Sequence, residues 1–176
     1  MHTRRYHREE NKLDARRRIC RSEPKKVYNP QNTDQPMVLP NASFSAQETV
    51  RVQLEALKDC NEPWANHGIQ LAYEFGYDIG GLDPSMYFGY PKDLYHQDHF
   101  MGQFGNQFPE MLNSSSFEIL GEEAGEDGTW TVDARVIGGD GSSVKCVRFH
   151  LKKKQVGPRK GAFMTYMIET LEPTPA

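Results

Sequence analysis

The hydrophobic period of the chain changes once, near residue 115, and this change constrains the fold more than any other feature. After it, apolar and polar residues alternate in residues 130–136 and 147–151, which is typical of β-strands with one buried face. Before it, Val50, Leu54 and Leu57 recur at the spacing of one helix face. Helices followed by strands predict a single α+β domain.

Turn-forming segments divide the second part of the chain into four expected strands. The strands cover residues 117–119, 130–136, 147–151 and 163–170. Between them lie an acidic, glycine-bearing segment at 121–128, the glycine-rich residues 138–141 and a Gly-Pro pair at 157–158, all of which favour turns. Successive hairpins predict a curved antiparallel meander.

Three helical segments are expected before the strands. Ser45 and Glu48 match a capping box, in which two side chains satisfy backbone N–H groups of the first helical turn. A second helix is expected over residues 64–75 and a third over 93–104, with a break at a Gly-Asn pair before an extension at 109–112. These helices are available to cover the apolar face of the sheet.

Charge divides the chain near residue 30. Residues 1–30 hold ten Lys and Arg against four Asp and Glu, a net charge of +6, while the remainder holds 11 against 20, a net charge of −9. Prolines recur in residues 24–40 and exclude a continuous helix. We therefore predict an extended basic arm over 1–42, the domain over 43–171 and a tail over 172–176. The arm residues expected to contact a partner are Arg4, Arg5, Arg8, Arg16, Arg17, Arg18, Arg21, Lys25 and Lys26.

Several classes of protein are disfavoured by composition. No stretch approaches the roughly 20 apolar residues that cross a bilayer, and the N-terminus lacks the apolar region of a secretory signal. Cys20, Cys60 and Cys146 are widely spaced and odd in number, so buried free thiols in a reducing compartment are expected. An acidic body disfavours nucleic acid as a partner, and no P-loop or dinucleotide motif predicts a cofactor.

Two groups of histidines could carry chemistry. His96 and His99, with Asp93 and Asp98 nearby, could share one metal ion on a helix, although the spacing is looser than that of known zinc motifs and a polar helix face is the alternative. His67 could act as a general base if it faced a pocket, or could instead bond to the backbone at a helix start. Neither pattern is sufficient to assign a catalytic residue or a metal site.

Aromatic residues are concentrated in the middle of the chain. They could line an apolar ligand pocket, or they could fill the core. The residues considered as pocket lining are Trp64, His67, Tyr73, Trp130 and Met164.

Four stretches carry a resemblance to a known superfamily. They are residues 53–57 (Gln-Leu-Glu-Ala-Leu), 61–70 (Asn-Glu-Pro-Trp-Ala-Asn-His-Gly-Ile-Gln), the segment from 88 to 100, and 157–165 (Gly-Pro-Arg-Lys-Gly-Ala-Phe-Met-Thr). In these the chain resembles the nuclear transport factor 2-like, or cystatin-like, superfamily, and within it an uncharacterised plant and algal family with predicted plastid targeting. The resemblance implies a cone-shaped sheet lined by helices and a plastid location, but no reaction.

Together these features favour a non-catalytic accessory subunit, or protein-binding module, of a larger organellar assembly. The arm would anchor it to other protein subunits, and a position peripheral to a membrane complex is one option. We expect a photosynthetic complex on the stromal side of the chloroplast thylakoid, with the mitochondrion as the alternative, and no cofactor. Two other interpretations remain: a small-molecule binder or enzyme that uses the concave pocket, and a targeting peptide still attached to a soluble protein whose mature chain begins between Pro36 and Ser43.

Overall fold

The structure of the protein, a computed structural model, describes residues 35–77 and 94–172, with the backbone alone at 94–96 and 99. The helices are α1 (Ala46–Lys58), α2 (His67–Phe75) and α3 (Leu94–Gln107), followed by a 3-10 turn at Pro109–Met111. The strands are β1 (Ser116–Ala124), β2 (Thr129–Ile137), β3 (Val144–Lys153) and β4 (Phe163–Leu171). The predicted class, α+β with helices packed on four antiparallel strands, is confirmed.

Helix α1 begins where the capping box predicts. The Ser45 backbone N–H donates to Glu48 Oε2 at 2.7 Å, and the Glu48 N–H donates to Ser45 Oγ at 3.1 Å. The hydrogen bond from the Ser45 backbone N–H, together with one from the Ser45 side chain, lowers the pKa of the Glu48 carboxyl. The buried face of the helix contains Val50, Leu54 and Leu57, so the apolar spacing read from the sequence marks the core.

Helix α2 begins at His67, three residues after the predicted start at Trp64. Asn66 has a φ of 62°, in the left-handed region, and such a residue cannot continue a right-handed helix. The first turn of α2 lies very close to α1, since a Cβ atom on Gly68 would overlap the backbone carbonyl of Ala56. Glycine at position 68 therefore permits the contact between these two helices.

Helix α3 continues to Gln107 through the predicted break at Gly105 and Asn106. Glycine inside a helix costs about 1 kcal/mol, and the buried Phe104 beside it contributes more, about 2 kcal/mol. The expected extension at 109–112 is a 3-10 turn at Pro109–Met111 that buries Met111. Packing thus overrides the local preference for a break.

The sheet has the strand order β1-β2-β3-β4, and all neighbours are antiparallel. The inner face pairs Val132 with Phe149 and Ala134 with Val147, and all four residues are buried against the helices. Register shifts occur between Ile119 and Gly121 in β1 and opposite the step from His150 to Leu151 in β3. Such bulges bend and twist a strand locally.

The outer face of the sheet carries charges that are paired across strands. Arg148 donates two hydrogen bonds to the Asp133 carboxylate, at 2.7 and 2.8 Å, and this contact lowers the pKa of Asp133. Arg135 pairs with Glu118 at 3.2 Å on the neighbouring strands. Much of the charge on this face is therefore neutralised within the domain.

The chain just before α1 packs on the helices. Pro36 and Pro40 are buried, and the Met37 backbone N–H donates to His67 Nε2 at 3.2 Å. The Met37 side chain itself is 71% exposed. The last part of the predicted arm is thus attached to the domain, whereas residues 1–34 lie outside the described residues and their extended form stays a prediction.

The domain boundaries at 43 and 171 also stay predictions, and most of the predicted tail, residues 173–176, is outside the described residues. None of the helices in the described ranges combines the length and apolar character needed to cross a lipid bilayer.

Candidate functional site

A partly open cavity of about 260 Å3 lies between α3 and the edge strand β4. Residues of α1 and of the end of α2 complete its lining, and we call it the α3–β4 cavity. Its lining includes Gln53, Ala72, Tyr77, Phe100, Phe104, Phe108, Thr165 and Ile168. Concave, mostly apolar cavities with a few polar groups are the usual form of small-molecule sites.

Two buried polar side chains, Gln53 of α1 and Thr165 of β4, lie together in this lining. They are 1% and 8% exposed. Gln53 Nε2 donates to the Thr49 carbonyl and lies 3.0 Å from Thr165 Oγ1, which is also 3.2 Å from Gln53 Oε1. The amide and the hydroxyl thus orient each other at the buried side of a lining that also contains the polar side chains of Gln103 and Gln107.

Backbone contacts hold Thr165 in place. The Tyr77 N–H donates to the Thr165 carbonyl at 2.8 Å, and Gly76 forms a parallel bridge with the same residue. The segment that leaves α2 therefore pairs with the edge of β4 at the cavity. This pairing fixes the Thr165 backbone against the segment that follows α2.

Aromatic rings of α3 form one wall. Phe100, Phe104 and Phe108 follow at intervals of four residues, and their ring centroids are 5.4 and 5.3 Å apart. Phe100 and Phe104 belong to α3 and Phe108 follows it directly, so the three rings lie in a row. Neighbouring rings are inclined by 44° and 53°, so an apolar group would meet both ring faces and ring edges there.

The lining carries no charge among the described residues. None of the side chains named for the cavity is a carboxylate, an amine, a guanidinium, an imidazole or a thiol. Carboxylates, amines, imidazoles and thiols are the groups that would place a charge in such a lining. The uncharged lining is suited to the binding of an uncharged molecule.

The five residues predicted as pocket lining lie elsewhere. Trp64 and His67 contact each other at the start of α2, with ring centroids 4.8 Å apart. Tyr73 is buried and its ring lies 5.5 Å from that of Phe100; Met164 is also buried. Trp130 contacts Phe163 at 5.6 Å. The structure brings Trp64 and His67 into contact, and none of the five is among the residues that line the α3–β4 cavity; their role as the lining of a concave pocket stays a prediction.

The His67 ring forms a hydrogen bond with the backbone, which the sequence analysis gave as the alternative to a role as general base. Its Nε2 accepts a hydrogen bond from the Met37 N–H, so a neutral ring must carry its proton on Nδ1. Burial lowers the pKa of His67, and the backbone carbonyl of Glu62 opposes this effect less strongly. The imidazole is a neutral acceptor that links the chain before α1 to α2.

The candidate metal ligands fall partly outside the described residues. Asp93 is among the residues that are not described, and the side chains of His96 and His99 are likewise not described. Asp98 is exposed on α3. Within residues 35–77 and 94–172, no three His, Cys, Asp or Glu side chains are grouped as metal ligands would be, and the four-residue metal site stays a hypothesis.

Cys60 is buried and Cys146 is partly exposed, and both are free thiols. Burial raises the pKa of Cys60, which disfavours the reactive thiolate. Cys20 lies outside the described residues.

Polar residues at core positions are the sequence signal for the cavity. Gln53 is a polar residue on the face of α1 that also carries Val50 and Leu57, and Thr165 occupies an inward position of β4. Polar groups at core positions need a partner. Which two would meet, and whether a cavity would remain beside them, depends on the packing of α3 against β4.

Comparison with known proteins adds no relative, since neither a protein-family model, nor a curated protein, nor a solved structure matches this chain with significance.

Proposed function

We propose that this protein is a non-catalytic accessory subunit, or protein-binding module, of a larger organellar assembly, anchored by its N-terminal arm. The observation that carries the proposal is the division of charge, +6 in residues 1–30 and −9 in the rest. A basic segment is attracted to acidic surfaces, so the arm is expected to favour a partner that presents one.

The attachment of the arm to the domain supports this proposal. Pro36 and Pro40 are buried, and the Met37 N–H bonds to His67, so the chain leaves the domain from a defined position near the start of α2. A binding segment that starts from a rigid position loses less entropy on docking than one that starts from a flexible linker.

The resemblance to the nuclear transport factor 2-like superfamily extends the proposal. We propose that the curved sheet and the helices on its inner face form the cone of that superfamily, and that the assembly is photosynthetic, on the stromal side of the thylakoid. A mitochondrial assembly is the alternative location. The motifs at 61–70 and 157–165 are the basis of this proposal.

A co-sedimentation experiment tests the role of the arm. Three proteins are added to mildly solubilised thylakoid and mitochondrial membranes: the full chain, a chain that lacks residues 1–34, and a full-length variant in which the nine arm residues named above as partner contacts are changed to Gln. We expect the full chain to sediment with a large thylakoid complex and both variants to remain near the position of the monomer.

The three proteins separate the parts of the proposal. If the Gln variant sediments like the full chain, the arm does not act through its charge. Sedimentation of the truncated chain with the complex would rule out the arm as the anchor. If the full chain remains monomeric in both extracts, the accessory-subunit function is wrong.

The α3–β4 cavity favours a second candidate function, the binding of a small molecule. The supporting observation is an apolar volume of about 260 Å3 beside the buried Gln53–Thr165 pair. Naphthalene, an apolar probe, is expected to bind the full chain at one saturable site, measured by the fluorescence of the probe. Absence of saturable binding would eliminate this candidate and leave the first one unaffected.

A further inference from the structure

We infer that the α3–β4 cavity selects an uncharged aromatic molecule with a hydroxyl group, which Gln53 and Thr165 recognise. This inference rests on the second candidate function, the binding of a small molecule in the cavity. Three properties of the described lining carry it: the hydrogen-bonding capacity of the polar pair, the shape of the aromatic wall, and the absence of charge.

The polar pair has capacity left for one more group. Gln53 Nε2 uses its two hydrogens on the Thr49 carbonyl and on Thr165 Oγ1. Gln53 Oε1 then retains a free lone pair, and the Thr165 hydroxyl can donate either to that oxygen or to a ligand. A ligand hydroxyl both donates and accepts, so it fits either orientation of the Thr165 O–H, whereas a group without hydrogen-bonding atoms leaves this capacity unused.

The aromatic wall indicates that the apolar part of the ligand is a ring system. Phe100, Phe104 and Phe108 present rings in a row, and Ala72 and Ile168 contribute further apolar surface. Aromatic rings favour offset or edge contacts with other rings at centroid distances of about 4.5–7 Å. A cavity of about 260 Å3 is at the small end of ligand sites, so one or two fused rings match its size.

The neutral lining excludes charged analogues. A carboxylate moved from water into this cavity would meet no cationic side chain among the described lining residues. Burial of an unpaired charge costs far more than burial of a hydroxyl that finds a partner. The site is therefore expected to bind a phenol and to reject the corresponding acid.

Three probes with the same two-ring body test this inference on the full chain at pH 7. They are naphthalene, 2-naphthol and 2-naphthoate, titrated by fluorescence and by calorimetry. We expect 2-naphthol to bind about tenfold more tightly than naphthalene, the factor that one net hydrogen bond provides. For 2-naphthoate we expect binding at least tenfold weaker than that of naphthalene.

The variant Thr165→Val keeps the shape of the side chain and removes its hydroxyl. It should retain the affinity for naphthalene and lose most of the preference for 2-naphthol. Its thermal melt and circular dichroism check that the domain is folded. The comparison of the three probes on the unchanged protein requires no variant, so it decides the inference even if Thr165→Val does not fold.

Each outcome has a definite meaning. Equal binding of naphthalene and 2-naphthol overturns recognition of a hydroxyl but leaves the cavity as a binding site. Tightest binding of 2-naphthoate overturns the selection of uncharged molecules. If none of the three probes binds, the second candidate function fails, and this inference fails with it.

Discussion

The start of α2 and the α3–β4 cavity contain the same kinds of residue but differ in packing. At the start of α2, the Trp64 and His67 rings are in contact, Trp64 Nε1–H donates to Gln70 Oε1 at 2.9 Å, and a Cβ on Gly68 would overlap α1. At the cavity, a buried amide and a row of phenylalanines border about 260 Å3 of space. The types of residue present therefore do not show whether a region is filled or hollow. What differs is how closely the neighbouring elements approach each other.

The largest loss of stability is expected from a substitution at Gly68, in the filled region at the start of α2. Gly68→Ala should destabilise the domain by about 3 kcal/mol, because the new methyl group would force α1 and α2 apart. Urea denaturation measures the change in the free energy of unfolding.

Gly102 of α3 is the matched control, since a Cβ there meets no atom within 4 Å. Gly102→Ala should be stabilising by up to about 1 kcal/mol, because alanine is the better helix former. A similar destabilisation by both variants would contradict the close packing of α1 on α2.

Replacement of a buried alanine by methionine compares the filled core with the cavity directly. Ala134→Met, in the middle of β2, should cost about 2 kcal/mol, because the site is fully buried by neighbouring side chains. Ala72→Met should cost less than about 1 kcal/mol, since its side chain can extend into the α3–β4 cavity. Thermal and urea denaturation of both variants measure the difference.

The same pair of variants has a binding readout. Ala72→Met should weaken naphthalene binding by occupying the cavity, while Ala134→Met should not affect it in the folded protein. If Ala72→Met were as destabilising as Ala134→Met, the space beside Ala72 would not exist.

A smaller effect is expected from the indole of Trp64. Trp64→Phe removes the donor to Gln70, a residue that is 4% exposed, and should cost about 1 kcal/mol more than Trp130→Phe. The Trp130 ring packs on Phe163 and has no indole hydrogen bond to another described residue. Chemical denaturation at neutral pH tests this order, and equal losses would show that the Trp64 hydrogen bond contributes nothing.

The smallest expected effect is the dependence of stability on pH that arises from His67. Burial lowers the pKa of the folded imidazole from its ordinary value of 6.5, so the unfolded chain binds the proton more readily. The neutral His67 imidazole therefore contributes to the free energy of unfolding above pH 6.5, and this contribution is lost as the pH falls below 6.5. We therefore expect the stability difference between the unchanged protein and His67→Gln to shrink between about pH 7.5 and about pH 5.5.

Carboxylates with lowered pKa, such as Asp133 and Glu48, titrate below this range and do not confuse the measurement. A pH-independent difference between the two proteins would show that His67 is not a buried neutral acceptor.

Much of the fold followed from local signals. The capping box at Ser45, the alternation in residues 130–136 and 147–151, and the turns predicted at 138–141 and 157–158 each act over a few positions, and the structure agrees with each of them. The structure differs at Trp64 and Gly105, where a left-handed residue or the burial of Phe104 overrides local preference. It also differs in β1, which continues through residues 121–124, predicted as part of a turn, because their backbone pairs with β2.

The candidate site was much less accessible to sequence analysis. Trp64 and Tyr73 were plausible as pocket lining because aromatic rings border many ligand sites, but the same rings also fill cores. The pair of Gln53 and Thr165 is separated by 112 positions along the chain, and no local pattern links two residues at that distance. The cavity beside them depends on the separation of α3 from β4, which arises only when all the elements have packed.

Methyl resonance shifts test most directly the central claim that the α3–β4 cavity is an accessible binding site while the start of α2 is filled. With the isoleucine δ1 methyl groups labelled, 2-naphthol is titrated into the full chain. Ile168 lines the cavity, and Ile69 lies in the first turn of α2. We predict a saturable shift of the Ile168 resonance and none of the Ile69 resonance; an unchanged Ile168 resonance, or a larger shift at Ile69, would contradict the account.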